Sequence, residues 1–316
     1  MADAPTVGVL GLGHIGGSLA LAVPGCVAWT RSPETRAAAA AAGVDVRDSL
    51  AEVVEAVDVV VLAAPLPALS DVLEQVADVV NGSELAPTIT DVGSVKAPIA
   101  AHAAEVLDDP STFVPGHPLA GTERTGWASA DGQLFAGSTW ALVVDEPVDL
   151  DRWFALAGVL CGLGVSVVPV GADEHDRVLA FTSHLPYLLG GLFATRLRAR
   201  EGALAAALSG GSLASLTRVV STADGARFGA ELSAANRAAV LAEIDALVSA
   251  LGAAGDELRS DRPSSVGGCI ASVPEVTLGP PASIGPMHRD ELRNVGHRGG
   301  RIVAVEGDRL TVVEPT

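Results

Sequence analysis

Gly116-His117-Pro118-Leu119-Ala120-Gly121-Thr122-Glu123 sets one histidine on a tight turn, bounded by glycine and proline, directly after a short apolar strand at Phe113–Pro115. Histidine ordinarily titrates nearest neutrality, so it is the natural side chain for taking up a proton at pH 7. Earlier in the chain stands Gly11-Leu12-Gly13-His14-Ile15-Gly16-Gly17-Ser18, between the strand-like Val7–Leu10 and an apolar helical stretch. That context is the one in which a glycine turn binds a dinucleotide. The first glycine permits the turn, the second lets a pyrophosphate approach the backbone, and the third lets the helix pack on the sheet. The helix N-terminus then faces the phosphates. In a doubly wound sheet ligands bind beyond the carboxyl ends of the strands, where both segments fall. A histidine that takes a proton while a nicotinamide takes a hydride is the chemistry of a dehydrogenase.

Three more segments follow strand-like runs. Ala63-Ala64-Pro65 comes after Val57–Leu62, and its turn, at Ala64 and Pro65, could lie against the cofactor. Asp91-Val92-Gly93-Ser94-Val95-Lys96 comes after Thr88–Asp91. It puts Asp91 at the cofactor edge and Ser94 at a helix start, where a serine either caps the helix or meets a ligand. Trp29-Thr30-Arg31-Ser32 ends the second strand without the carboxylate that would hold a ribose 2′-hydroxyl. Two hydroxyls and a guanidinium there accept a 2′-phosphate, which favours NADP; if Arg31 stacks on the adenine instead, NAD serves. Lys96 is the only lysine, against nineteen arginines, so it stands either by chance or because arginine would not fit.

These residues need a scaffold, and the chain supplies two kinds. Up to Val170, short apolar runs alternate with helical stretches at His14–Val23, Glu34–Ala42, Leu66–Val80, Ala97–Leu107 and Leu150–Leu163. The runs, which also include Val27–Trp29, Trp140–Val144 and Val165–Val170, are apolar on both faces, as in a buried parallel sheet. Strand–helix alternation predicts an α/β fold, a doubly wound Rossmann-type domain over residues 1–170. Residues 171–260 read as all-helical, with Val178, Phe181, Leu185, Leu188, Leu189 and Leu192 on one face and a kink expected at Pro186. So alanine- and leucine-rich a bundle is expected to finish its core against a second copy, giving a homodimer. Residues 261–316 read as a Pro/Gly/Ser-rich linker and a hairpin of Arg301–Val305 and Arg309–Val313 about Glu306-Gly307-Asp308.

Composition narrows the partners. A net charge of −18 argues against nucleic acid and anionic membrane, both of which call for basic surface. The N-terminus lacks the basic start and apolar core of a signal peptide, and no uninterrupted apolar run is expected to reach membrane-spanning length, the best candidate, Val57–Leu69, being broken by Pro65 and Pro67. Cys26, Cys161 and Cys269 have no metal-ligand spacing, so no metal is expected and a reducing cytoplasm is.

Asp-Val-Gly-Ser-Val-Lys, then Gly-His-Pro-Leu-Ala-Gly-Thr-Glu, then Ser183-His184-Leu185-Pro186 and Leu216-Thr217-Arg218 resemble, in that order, the prephenate and arogenate dehydrogenases of tyrosine biosynthesis. The resemblance runs from about Val7 to Leu247. It implies a nucleotide-binding domain followed by a helical dimerisation domain, and oxidative decarboxylation of prephenate with hydride transfer to NAD(P)⁺. By position it makes His117 the base for the ring hydroxyl and Ser94 the serine that bonds this hydroxyl and positions the histidine. Arg218 becomes the clamp on a substrate carboxylate, with Ser183, His184 and Thr122 lining the pocket. Where many members read His-Leu-Pro-His, this chain has Tyr187, at the place where the side chains of prephenate and arogenate differ. Two other readings stand beside this one. A β-hydroxyacid dehydrogenase or imine reductase shares the plan, but the hydroxyacid enzymes use a lysine in the helical domain, absent here. A non-catalytic nucleotide sensor would not need His117, Ser94 and Arg218 together.

Overall fold

The computed structural model describes residues 5–120, 124–199, 202–260 and 276–316. The chain divides into two compact units: Met1–His175 with Leu278–Pro315, and Asp176–Thr277 with Thr316.

The first unit opens with a six-stranded parallel sheet. Its strands are β1 (Val7–Leu10), β2 (Val27–Trp29), β3 (Asp45–Val46), β4 (Val59–Leu62), β5 (Thr88–Asp91) and β6 (Phe113–Val114), in the order β3-β2-β1-β4-β5-β6. Between them run α1 (His14–Ala22), α2 (Pro33–Ala41), α3 (Leu50–Val54), α4 (Leu69–Val80) and α5 (Ala97–Val106). Every residue of β1, β4 and β5 is buried, and alternate side chains feed two different cores. Leu10, Val60 and Leu62 join Leu50, Val53, Leu69, Leu73, Val76, Ile99 and Ala103 from α3, α4 and α5. Val7, Val9, Val59 and Val61 face the other way, with Leu19 and Ala20 of α1. This two-sided burial is why the strands read as unbroken apolar runs, and it makes the domain doubly wound as expected. Local signals place the helix starts: Ser32 accepts the Thr35 N–H ahead of Pro33, and Ser49 accepts the Glu52 N–H.

The later strands depart from the expectation of one parallel sheet. They build a second, mixed sheet in the order β10-β12-β11-β9-β8-β7. Here β7 is Gly116–Leu119, β8 Thr139–Val143, β9 Ser166–Val170, β10 Ala282–Ile284, β11 Arg301–Glu306 and β12 Arg309–Val313. The chain leaves the first sheet at Val114 and enters the second at Gly116, so Pro115 alone is the crossing. Only β8 and β9 pair in parallel, joined by α6 (Leu150–Gly162), whose Trp153, Leu156, Ala157 and Leu160 cover the same core as Val7 and Val61. The hairpin β11–β12 forms where expected but is no free tail. Ile302 pairs with Val167, Ile302, Leu310 and Val312 are buried in that core, and β10 lies within the stretch read as linker. Helix α13 (Arg289–His297) buries Leu292 and Val295 there as well.

The second unit is helical. It holds the end of α7 (Ala172–Leu179), then α8 (Leu185–Ala199), α9 (Gly202–Ala207), α10 (Gly211–Thr217), α11 (Ala223–Ala235) and α12 (Arg237–Arg259). Between α7 and α8 a π-helical segment, Ala180–His184, immediately precedes the Leu185-Pro186 step. Proline has no N–H to return to the preceding turn, and a widened turn absorbs that loss. The helical stretches Ala172–Arg198 and Arg237–Arg259 each contain an 18-residue window long and apolar enough to cross a membrane by length and composition, so Val57–Leu69 is not the best apolar candidate.

Candidate active site

The glycine turn has the geometry its sequence requires. Gly11 adopts φ +110°, and a Cβ on it would stand 2.5 Å from the Ala63 carbonyl oxygen. A Cβ on Gly16 would fall 1.9 Å from the Gly11 carbonyl oxygen, so only glycine lets α1 approach the sheet. Among the described residues, nothing around Gly13 lies within 4 Å of that position. Among the described residues no side chain caps the N-terminus of α1, which leaves its first N–H groups for a ligand. Leu12 and Ile15 turn their side chains into the core and offer only backbone. His14 Nδ1 lies 2.8 Å from the Ser129 carbonyl oxygen, so Nδ1 donates and the buried Nε2, without a protein partner, is left as an acceptor. Turn, open cradle and uncapped helix together fit a dinucleotide pyrophosphate. The Ala63-Ala64 step lies against Gly11, as expected of a turn beside the cofactor.

At the end of β2 the three expected phosphate ligands separate. Thr30 is buried. Ser32 caps α2, and its hydroxyl donates to the Glu34 carboxylate at 3.1 Å. Arg31 is exposed.

Asp91 needs correcting. Expected at the cofactor, it is 0% exposed. One carboxylate oxygen accepts the Gly93 N–H at 2.8 Å and the Lys96 ammonium, and the other accepts the Gly116 N–H at 3.1 Å. Lys96, also 0% exposed, donates onward to the Gly116 carbonyl oxygen at 2.7 Å. The only lysine is thus one half of a buried ion pair that holds the crossing between the sheets. A guanidinium is wider and would not enter the same space unchanged. Gly116 is equally confined: a Cβ there would stand 2.8 Å from Trp140 Nε1 and 3.0 Å from the Asp91 carbonyl oxygen.

This clamp places His117. The residue is not on a turn; it lies in β7, opposite Ala141 of β8, and is 8% exposed. Its Nδ1 lies 2.9 Å from Nε2 of His175, with the rings edge to face at 73° and their centroids 5.1 Å apart. Sequence reading missed His175; the signal available was a histidine among Asp173, Glu174 and Asp176, at the start of the stretch read as helical. Ser94 does not cap α5, whose N-cap is Lys96; it lies half-buried in the loop after β5.

In the second unit His184 is 0% exposed and its Nδ1 lies 3.1 Å from the Asn236 amide nitrogen, which also donates to the Asp176 carbonyl oxygen at 2.6 Å. An amide nitrogen only donates, so His184 Nδ1 accepts and its proton sits on Nε2. Ser183 is half-buried in the π-helical segment. Tyr187 stacks edge to face on Phe228, centroids 5.7 Å apart. Arg218 is exposed on a short 3-10 turn after α10. Thr122 lies outside the described residues.

Strand order, glycine turn and a buried histidine where the chain leaves the first sheet define a dinucleotide-binding Rossmann protein with a helical unit after it. Residues 26–168 match the family model described as "Prephenate dehydrogenase, nucleotide-binding domain". Prephenate dehydrogenase of Bacillus subtilis is 32% identical over 227 residues, 69% of this chain and 61% of its own length. The chain therefore spans about three fifths of that relative. Synechocystis arogenate dehydrogenase superposes with a TM-score of 0.72 at 25% identity, over 83% of this chain and 95% of that one. Aquifex aeolicus prephenate dehydrogenase, solved with hydroxyphenyl propionate and NAD⁺, shares the fold with a TM-score of 0.75 at 23% identity, over 84% and 94% of the two chains. The chain belongs to the prephenate/arogenate dehydrogenase family.

Proposed function

We propose that the protein is a prephenate dehydrogenase, converting prephenate to 4-hydroxyphenylpyruvate with reduction of NAD(P)⁺. The observation that carries this reading is His117: one buried histidine, clamped through Gly116 by the Asp91–Lys96 pair, in a domain of this family. With Nδ1 turned to His175, its Nε2 is the atom that takes the proton of the ring hydroxyl. We assign the Ser94 hydroxyl to the same substrate oxygen. When bound, NAD(P)⁺ would supply the acceptor for the C4 hydride, and loss of the 1-carboxylate as CO2 would leave the aromatic ring. Gly11, Gly13, Gly16 and the N–H groups opening α1 would hold its pyrophosphate. The test is purified protein with prephenate and NAD(P)⁺, read as reduced-nicotinamide absorbance, with arogenate run in parallel. Absence of turnover with prephenate overturns the proposal; faster turnover with arogenate replaces it by arogenate dehydrogenase, with Tyr187 the residue meeting the differing side chain.

Arg218 we assign to a substrate carboxylate and His184 to a hydrogen bond from Nε2 to the substrate. An anchor that binds ground and transition states alike acts on KM. Arg218→Ala is therefore expected to raise KM for prephenate by at least 30-fold while kcat falls only slightly, the equivalent of about 2 to 5 kcal/mol for a desolvated charge pair. An unchanged KM removes Arg218 from the site.

For the cofactor we propose that the 2′-phosphate of NADP⁺ is accepted, through Arg31. Of the three residues ending β2, Arg31 alone is exposed; Thr30 is buried and Ser32 is committed to its helix and to Glu34. Arg31→Ala should lower kcat/KM for NADP⁺ about 10- to 100-fold, a charge-assisted hydrogen bond's worth, and leave NAD⁺ unaffected. Equal losses with both cofactors would assign Arg31 to the adenine instead.

We further propose a homodimer. Leu241, Ile244, Val248, Leu251, Gly255 and Leu258 recur on α12 at alternating spacings of three and four, the pattern of a helix seam. Leu241, Val248, Leu251 and Leu258 are 48–62% exposed. Glu243, Asp245, Asp256 and Glu257 on the same helix favour a second protein copy over lipid. Leu251→Glu is expected to shift the protein from dimer to monomer in sedimentation; a mass unchanged from the parent's would locate the interface elsewhere. A cytoplasmic location agrees with the free thiols Cys26 and Cys161, which burial pushes up to about 12 and about 11.

A further inference from the structure

We infer that His175 is a positioning residue that holds His117 in the tautomer able to act as base, an inference that rests on His117 being that base. A single hydrogen lies between His117 Nδ1 and His175 Nε2, 2.9 Å apart. If His117 donates it, the neutral ring keeps a lone pair on Nε2 and can take the substrate proton there. If His175 donates it, the neutral His117 must carry its proton on Nε2, and the base is disabled. The direction of this one bond decides whether the site works.

The surroundings disfavour a charged His175, which could only donate and would disable the base. His175 is 2% exposed in the first turn of α7, and burial favours an uncharged ring. It is tied by its backbone N–H to the Gly171 carbonyl oxygen, which sets the ring's place behind β7. Asp91 and Lys96 neutralise each other across Gly116. Glu174 pairs with His297 at 3.0 Å, and Asp173 is exposed. At the start of α7 Asp145 accepts the Ala172 N–H at 2.7 Å and pairs with Arg293 at 3.5 Å, and Asp176, the next residue in the chain, is buried. A neutral imidazole thus takes the place that a carboxylate holds behind the histidine of a serine-protease triad. It orients the base without adding a negative charge beside an anionic substrate.

The substrate hydroxyl proton moves to His117 Nε2, His117 becomes imidazolium, its Nδ1–H stays on His175 Nε2, and the added proton leaves to solvent after turnover. No proton passes to His175.

The test has two arms. In the full-length, histidine-¹⁵N-labelled protein without substrate, NMR at a pH where both rings are neutral should show His117 with its proton on Nδ1 and an unprotonated Nε2. The reverse pattern overturns the inference, and it does so whether or not prephenate is the substrate. In the second arm, His175→Leu should lower kcat roughly 10- to 100-fold with KM little changed and shift the acidic limb of the kcat–pH profile. His175→Gln, whose amide oxygen accepts the same Nδ1–H, should recover most of the loss. A KM effect with kcat intact, an unshifted pH limb, or a Gln variant no better than Leu would each show that His175 only fills space. If the Leu variant does not fold, the tautomer pattern of the parent protein still decides.

Discussion

His117→Asn should lose about 10² to 10⁴ in kcat for prephenate while binding of NAD(P)⁺ and substrate stays within a few-fold. Asparagine keeps a donor and an acceptor near the place of the imidazole and fits a strand position flanked by Gly116 and Pro118, so the loss would report the proton transfer rather than the fold. The pH profile gives the sharper reading. A base must be unprotonated to act, so in the parent protein kcat falls as pH drops through its titration, and this limb should vanish in the variant. Turnover near normal at neutral pH would remove His117 from the catalytic role and leave the buried histidine pair as packing.

The second large effect is on stability. Lys96→Ala leaves the Asp91 carboxylate fully buried with its cation gone, and Asp91→Ala strands the ammonium in the same way. Breaking such a pair costs about 3 to 5 kcal/mol, a large share of the roughly 5 to 15 kcal/mol that holds a typical protein folded. Urea unfolding followed by circular dichroism should show the midpoint move accordingly. Lys96→Arg keeps the charge yet should still cost about 1 to 3 kcal/mol, because the wider guanidinium overpacks the space between Asp91 and Gly116. If the arginine variant unfolds with the parent, the lone lysine carries no steric message. The double variant Lys96→Met/Asp91→Asn should be markedly milder than either single loss, since no charge is then left unpaired in the interior.

Which parts of this molecule could be read from its sequence follows from how local their causes are. The glycine turn was legible because Gly11 and Gly16 answer contacts with Ala63 or within a few residues of themselves, while Gly13 keeps the cradle open. The first sheet was legible because burial on both faces leaves unbroken apolar strands. By contrast, Gly116-His117-Pro118 reads as a turn and is a strand. Proline is tolerated there because β7 is the outermost strand of its sheet, where a missing N–H breaks no ladder on the open side. Nothing local reveals that Val167 pairs with Ile302, or that the chain changes sheets at Pro115. The site shows the same division. His117 stood out by type and context, Lys96 only by scarcity, and His175 not at all, since its importance lies in a ring 58 positions away. Asp91 was seen but misassigned: an acid at a strand end looks like a ligand contact until its partner is known to be a lysine five residues on.

The two sheets also mature on different clocks. Residues 7–114 contain all six strands of the first sheet and pair only among themselves, so that sheet can assemble while the rest of the chain is still being synthesised. The second sheet has to wait, because β11, its link from β9 to the far strands, comes from residues 301–306. Until then β9 is an open edge and the core around Trp153 and Val167 lacks Leu292, Ile302 and Leu310. The strand that bears His117 belongs to this late sheet. A nascent chain could thus present a formed nucleotide cradle well before its catalytic strand is locked in place, with the unfinished edge the part most in need of a chaperone's cover.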